Sequence, residues 1–148
     1  MRNDMAVMEN GCAHRVVVAA PTAGSSGVIP ASVVGVGRTL GRTEGEILDA
    51  LWAAGLVGAF IANQATFGAE VAGCQAEIGA ASCMAAAGVV QLLGGTVEEG
   101  FHAAALAMQS LLGLICDPVA GLVEFPCIQR NVTASVMAAA AANMPLSI

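Results

Sequence analysis

The chain has no tyrosine and no lysine, a single tryptophan, and charged side chains at only 11% of its 148 positions. Each shortage excludes something. Without lysine there is no side-chain amine to form a Schiff base with pyridoxal phosphate, so chemistry on an amino acid would need a different electrophile. The five basic residues are all arginine and are scattered, and the net charge is −6. Neither nucleic acid nor an anionic membrane surface is an expected partner. The scarce aromatics provide no belt to flank a membrane span. Arg2, Asp4 and Glu9 interrupt the N-terminus, so no signal peptide is expected there. Five cysteines are an odd number, which argues against a disulfide framework. A reducing cytoplasm, with thiols either buried or bound to metal, is the expected setting.

What the chain does have is apolar bulk. Hydrophobic residues make up 57% of it, mean hydropathy is +0.76, and Ala and Gly together are about a third of all positions. Small residues let helix backbones approach closely. Three uncharged runs, 50–69, 78–97 and 131–148, approach the length of a membrane span. They are interrupted by Gly55, Asn63, Gln64, Gly88, Gln91 and Gly94-Gly95. Helices buried inside one compact domain over residues 1–148 account for them better than a bilayer does.

The local signals repeat in step. Residues 1–12 read as the end of a helix, with Met5 and Met8 facing one way. A short β-branched run from Arg15 to Ala20 leads into Pro21–Pro30, whose prolines, glycines and hydroxyls mark a loop. That loop is either an ordinary turn or a seat for a small anion, built from backbone N–H groups and the Ser25 and Ser26 hydroxyls. Gly35-Val36-Gly37-Arg38-Thr39-Leu40-Gly41 has the wrong glycine spacing for a dinucleotide fingerprint, and no alternation of strand and helix follows it. Thr43–Glu46 is a capping box opening a helix to about Phe67. Cys74 opens a second helix, which runs to Leu93 and stops at Gly94-Gly95. Thr96–Glu99 caps a third helix, reaching about Leu114. Pro126 suits the first turn of a fourth, ending near Asn143. The expected fold is all-α: buried Ala/Gly-rich helices around a cysteine-bearing central loop.

That loop, in the stretch Leu111–Asn131, holds Cys116 and Cys127. Cys74 lies upstream in the pattern C-x41-C-x10-C. Cys74 and Cys127 fall at expected helix N-termini, where a thiolate is favoured, and Cys116 falls at a helix end. The spacing matches neither ferredoxin nor zinc patterns, so these residues alone leave two readings: a shared metal site, or inert buried thiols. Three ligands would leave an open position on the metal. Cys83, midway along an apolar helix, reads as a packed core thiol, as do Met84, Met108, Met137 and Met144 as core filling. Cys12 has no partner at useful spacing. His102 reads as structural rather than a ligand, and His14, in a loop, as either. Glu77 and Glu124, each three positions from a cysteine, are solvated or capping groups by default, or else a group supporting the site or a base. Arg130-Asn131 suits a substrate carboxylate or cluster sulfurs, and Asp117 reads as a turn former.

At these residues the chain resembles a known family. GCQAEIGAASCMAAAGVVQLLGG (Gly73–Gly95) and GLICDPVAGLVEFPCIQRN (Gly113–Asn131) are similar to the alpha chain of bacterial iron–sulfur L-serine dehydratases, as are Met5–Met8 and Ala20–Val28. The resemblance implies an all-helical fold and a [4Fe–4S] cluster held by Cys74, Cys116 and Cys127, without pyridoxal phosphate. It implies L-serine as substrate, held near Ser25, Ser26, Gly27, Arg130 and Asn131, with the open iron acting as a Lewis acid on the hydroxyl. It also implies partners: a beta subunit, or further alpha and beta portions. Relatives continue upstream of Met5 and beyond Asn143, so activity is expected only with those portions, and a homo-oligomer is compatible with them. A related family that desulfidates L-cysteine shares the CDP…PC-I-x-RN stretch but matches Gly73–Gly95 less well. A cluster-carrying assembly subunit without catalysis is the third reading.

Overall fold

The computed structural model describes residues 2–147. Within them the chain is helical and has no strand. The elements are α1 (Arg2–Cys12), a π-helical segment Pro30–Gly35 running into α2 (Val36–Thr39), α3 (Glu44–Gln64) and α4 (Ala69–Ala72). A second π-helical segment (Gln75–Gly79) runs into α5 (Ala80–Leu92), followed by α6 (Val97–Leu111), α7 (Glu124–Asn143) and a 3-10 turn (Pro145–Ser147). The all-α expectation holds.

Helix α5 is the axis of the molecule. Every residue in it except Gln91 is buried, and α3, α6 and α7 pack around it. Its sequence allows this because so few of its side chains are large. Gly88 shows the limit: a Cβ there would lie 2.9 Å from the Ala50 carbonyl oxygen and 2.8 Å from a Val33 methyl. A helix buried on all sides is uniformly apolar rather than amphipathic, and α5 has that character. The two capping boxes form as read. Thr43 and Thr96 each accept from the backbone N–H three residues on, and Glu46 and Glu99 each accept from the threonine's own N–H. Helix α1 lies along α7, where the fully buried Asp4 accepts a hydrogen bond from the Ser135 hydroxyl.

Several boundaries differ from expectation. Helix α3 ends at Gln64 and α6 at Leu111, three residues short in each case. The loop at Pro21–Pro30 is shorter than read, because helical structure begins at Val28 and carries through Pro30 to Thr39. Proline is tolerated in a first turn, where its missing N–H has no partner to lose. Arg15–Ala20 forms no regular element. Met144 is exposed rather than core. Helix α3 is long and apolar enough to cross a membrane by length and composition, a test that core helices also pass, and it alone does so among the described residues. Its inner face buries Ile47, Ala50, Ala54, Val57 and Gly58, while Leu48, Trp52, Leu56 and Phe60 are exposed.

Candidate active site

The site begins at Gly73. This glycine adopts φ +74°, and a Cβ on it would lie 3.0 Å from the Leu114 carbonyl oxygen and 3.2 Å from the Ile115 Cα. Only glycine meets both demands. The tight fit draws the segment after α6 against the start of the next helix. Gln75 N–H donates to the Leu114 carbonyl at 2.8 Å, and the Gly113 N–H donates to the Gln75 side chain at 2.8 Å. Cys74, opening that helix, and Cys116, just beyond Leu114, are brought together in this way. Cys116 does not end a helix, as expected from sequence, but stands exposed in the loop. The loop then reverses at Ala120-Gly121, both at positive φ, with Val119 and Leu122 exchanging backbone hydrogen bonds. That reversal returns the chain to Glu124, where α7 starts, and places Cys127 in its first turns, buried.

Arg130, one turn beyond Cys127, closes the group. Its guanidinium donates to Cys74 Sγ at 3.2 Å and pairs with Asp117. Asp117 therefore aims Arg130 at the sulfur rather than only shaping a turn. The Cys74 thiol is pushed up by burial and by Cys116 beside it, while Arg130 partly offsets the rise. Cys127 is pushed up to about 11, by burial first and then by the nearby Cys74, Glu77 and Cys116. Groups that feel one another in this way share one neighbourhood. Burying anionic sulfur is costly without compensating positive charge, and Arg130 supplies one such charge. Among the described residues, no three His, Cys, Asp or Glu side chains converge tightly enough to grip a single metal ion. A polynuclear cluster is held at separated irons, so its ligands need not meet at one point. Soft thiolates are the donors that iron–sulfur clusters take, and the donor set fits one.

The Thr22–Gly27 loop lies beside these thiols and is pinned from two sides. Asn131 is fully buried on α7, and its amide makes three internal bonds. Nδ2 donates to the Gly24 and Cys127 carbonyls, both at 2.8 Å, and Oδ1 accepts from Gly27 N–H at 3.0 Å. From the other side, Glu77 accepts a hydrogen bond from the Thr22 hydroxyl. Ser25 and Ser26 are buried. Ser25 Oγ sits 3.0 Å from the Thr22 hydroxyl and accepts from Thr22 N–H, and Ser26 Oγ faces Met8 Sδ. Their hydroxyls shape the loop from within. The Ala23 and Gly24 amides, by contrast, have no acceptor among the described residues. From the sequence, Thr22 and Gly24 read only as members of the Pro21–Pro30 loop and Gly73 only as the first residue of the Gly73–Gly95 stretch, with no individual roles.

Among the described residues, the other sequence candidates make no side-chain hydrogen bond to this group. Cys83 is core, and burial pushes its thiol up to about 12. Cys12 ends α1. His14, His102 and Glu124 are exposed.

Comparison with known proteins adds a further finding. A family model described as the serine dehydratase alpha chain matches residues 1–148. The chain is 43% identical over 143 residues to the probable L-serine dehydratase alpha chain of Bacillus subtilis, covering 97% of this chain and 48% of that one. It is 42% identical over 147 residues to the probable L-serine dehydratase alpha chain of Latilactobacillus sakei, covering 99% and 70%. It is 46% identical over 144 residues to L-serine dehydratase 1 of Escherichia coli, covering 96% and 32%. The chain thus spans about half the length of the first of these relatives and about a third of the last.

Proposed function

The chain belongs to the serine dehydratase alpha chain family, and from that premise we infer that it is the helical part of an enzyme converting L-serine to pyruvate and ammonia. The observation that carries this reading is the meeting of Cys74, Cys116 and Cys127 beside the doubly pinned Thr22–Gly27 loop. Cys74, Cys116 and Cys127 would hold a [4Fe–4S] cluster, with Arg130 donating to Cys74 sulfur. When bound, the cluster supplies an iron without a cysteine ligand, a Lewis acid that makes hydroxide a feasible leaving group from the substrate.

The protein's own residues do the rest. The free Ala23 and Gly24 amides take the substrate carboxylate, as successive backbone N–H groups do for small anions. Ser25, Ser26, Gly27 and Asn131 build that seat, and its rigidity orients the β-hydroxyl toward the thiol group. Loss of the α-proton and the hydroxyl leaves aminoacrylate, which tautomerises and hydrolyses to pyruvate and ammonia. Leu112, Ile115, Val119, Leu122 and Phe125, which flank Cys116 in sequence, are exposed. An apolar surface of this kind marks an interaction site, and a beta subunit or further portions of the enzyme would cover it and exclude water.

The test is an anaerobic assay of the chain assembled with the complementary portion of a relative. Pyruvate and ammonia should form from L-serine. Sulfide released from L-cysteine instead would identify a desulfidase. An assembly that holds iron but turns over neither substrate would leave the chain a cluster-carrying piece.

A further inference from the structure

Glu77 stands apart from the other acids near the thiols. It lies on the π-helical segment Gln75–Gly79, directly after Cys74, and insertions of this kind recur at functional sites. One carboxylate oxygen, Oε1, accepts from the Thr22 hydroxyl. The other, Oε2, has no hydrogen-bond donor among the described residues, and no arginine pairs with either. The side chain is only partly buried. The carboxylate also lies against the backbone of the anion-binding loop. A Cβ on Gly24 would fall 2.5 Å from Oε1, 2.9 Å from Cδ and 3.0 Å from Oε2. The absence of a side chain at Gly24 lets the carboxylate lie this close to the loop; a larger residue there would push it aside.

An acceptor with no cation and a pair of amides with no acceptor therefore sit side by side. An α-amino acid has the matching arrangement, a carboxylate and an ammonium on one carbon. The geometry points to Glu77 as the residue that receives the substrate's α-ammonium through Oε2, while the Ala23 and Gly24 amides take its carboxylate. This assignment rests on the serine-dehydrating reading above and adds to it the basis of selection for amino acids over hydroxy acids. Thr22 holds the carboxylate in place through Oε1, and Ser25 in turn holds Thr22. Glu77 also lies close enough to Cys127 for its charge to contribute to the upward shift of that thiol. An ammonium at Oε2 therefore lies near the proposed cluster.

The experiment compares two ligands in the active assembly containing this chain. L-serine and 3-hydroxypropionate share the hydroxyl and the carboxylate, and only L-serine has the ammonium. With Glu77→Gln, the KM for L-serine should rise about tenfold or more, the loss expected for a hydrogen bond between charged groups. The inhibition constant of 3-hydroxypropionate should stay within about twofold. If both ligands weaken alike, Glu77 only pins the loop and the assignment is overturned; no change in either overturns it too. Should E77Q fail to fold or to hold iron, the wild-type assembly still decides. There 3-hydroxypropionate must bind about tenfold or more weakly than L-serine, and equal affinity contradicts the assignment. A wild-type assembly that forms no pyruvate from L-serine overturns the serine reading and this assignment with it. One that forms pyruvate without showing the selective loss overturns this assignment alone.

Discussion

Cys74 and Cys83 lie nine positions apart along one continuous helical stretch, and both are buried. Their surroundings differ completely. Cys83 is enclosed by the apolar interior, and burial is the main reason its thiol is pushed up to about 12. Cys74 has a second thiol and a guanidinium beside it, and its helix opens where Gly73 lets another segment approach. Burial by itself gives an inert thiol. Burial with a convergent polar neighbourhood gives a site, and the chain builds that neighbourhood only at the N-terminal end of this stretch.

Cysteine substitutions test the contrast with the largest expected effect. Cys74→Ser, Cys116→Ser and Cys127→Ser should each lose most of the iron after anaerobic reconstitution, whereas Cys83→Ser should keep it. Iron and acid-labile sulfide assays read the result. Equal loss from Cys83→Ser would erase the distinction. Next comes Asn131, which pins the Gly24–Gly27 backbone, against Ser82, which bonds within the core. Asn131→Ala strips three internal hydrogen bonds from the loop and should cost about 3 kcal/mol in denaturant unfolding. Ser82→Ala removes one bond to the Ala134 carbonyl, at 2.9 Å, and should cost about 1 kcal/mol.

Two glycines sharpen the picture of the core. Gly88→Ala drives a methyl into the Ala50 carbonyl and should cost roughly 1–3 kcal/mol. Gly100→Ala meets nothing closer than 4.0 Å and should stabilise α6 by up to about 1 kcal/mol. The smallest effect is expected from the exposed caps. The Thr43 and Thr96 backbone N–H groups are the main cause holding the Glu46 and Glu99 carboxyls below the usual carboxylate range. A carboxyl depressed in the folded state adds stability above its unfolded value and loses it as pH falls through the folded one. Glu46→Gln or Glu99→Gln should therefore reduce the difference in urea midpoint between neutral and acidic pH.

The long helices were legible because their signals are local. Capping boxes, glycine stops and a first-turn proline lie within a few residues of what they control, and α3, α5, α6 and α7 followed from them. Where a local signal misled, another local effect had won. Pro30 was read as loop although the first turn of a helix tolerates it, and α6 stops early because the chain turns through Gly113 at φ +90°. The three cysteines were visible as residues, but their meeting depends on contacts between distant positions. Glu77 reaches Thr22 across 55 positions, and Asn131 reaches Gly24 across 107. Such contacts leave no trace in spacing. For the same reason the inward hydrogen bonds of the Ser25 and Ser26 hydroxyls, to Thr22 and Met8, could not be read from the sequence.

Mössbauer spectroscopy of the chain reconstituted anaerobically with 57Fe, then assembled with its complementary portion, tests the central claim most directly. The account predicts about four irons per chain, one of them distinct and selectively shifted when L-serine is added. Zinc held stably in place of iron after anaerobic purification, or four irons that all ignore L-serine, would contradict it.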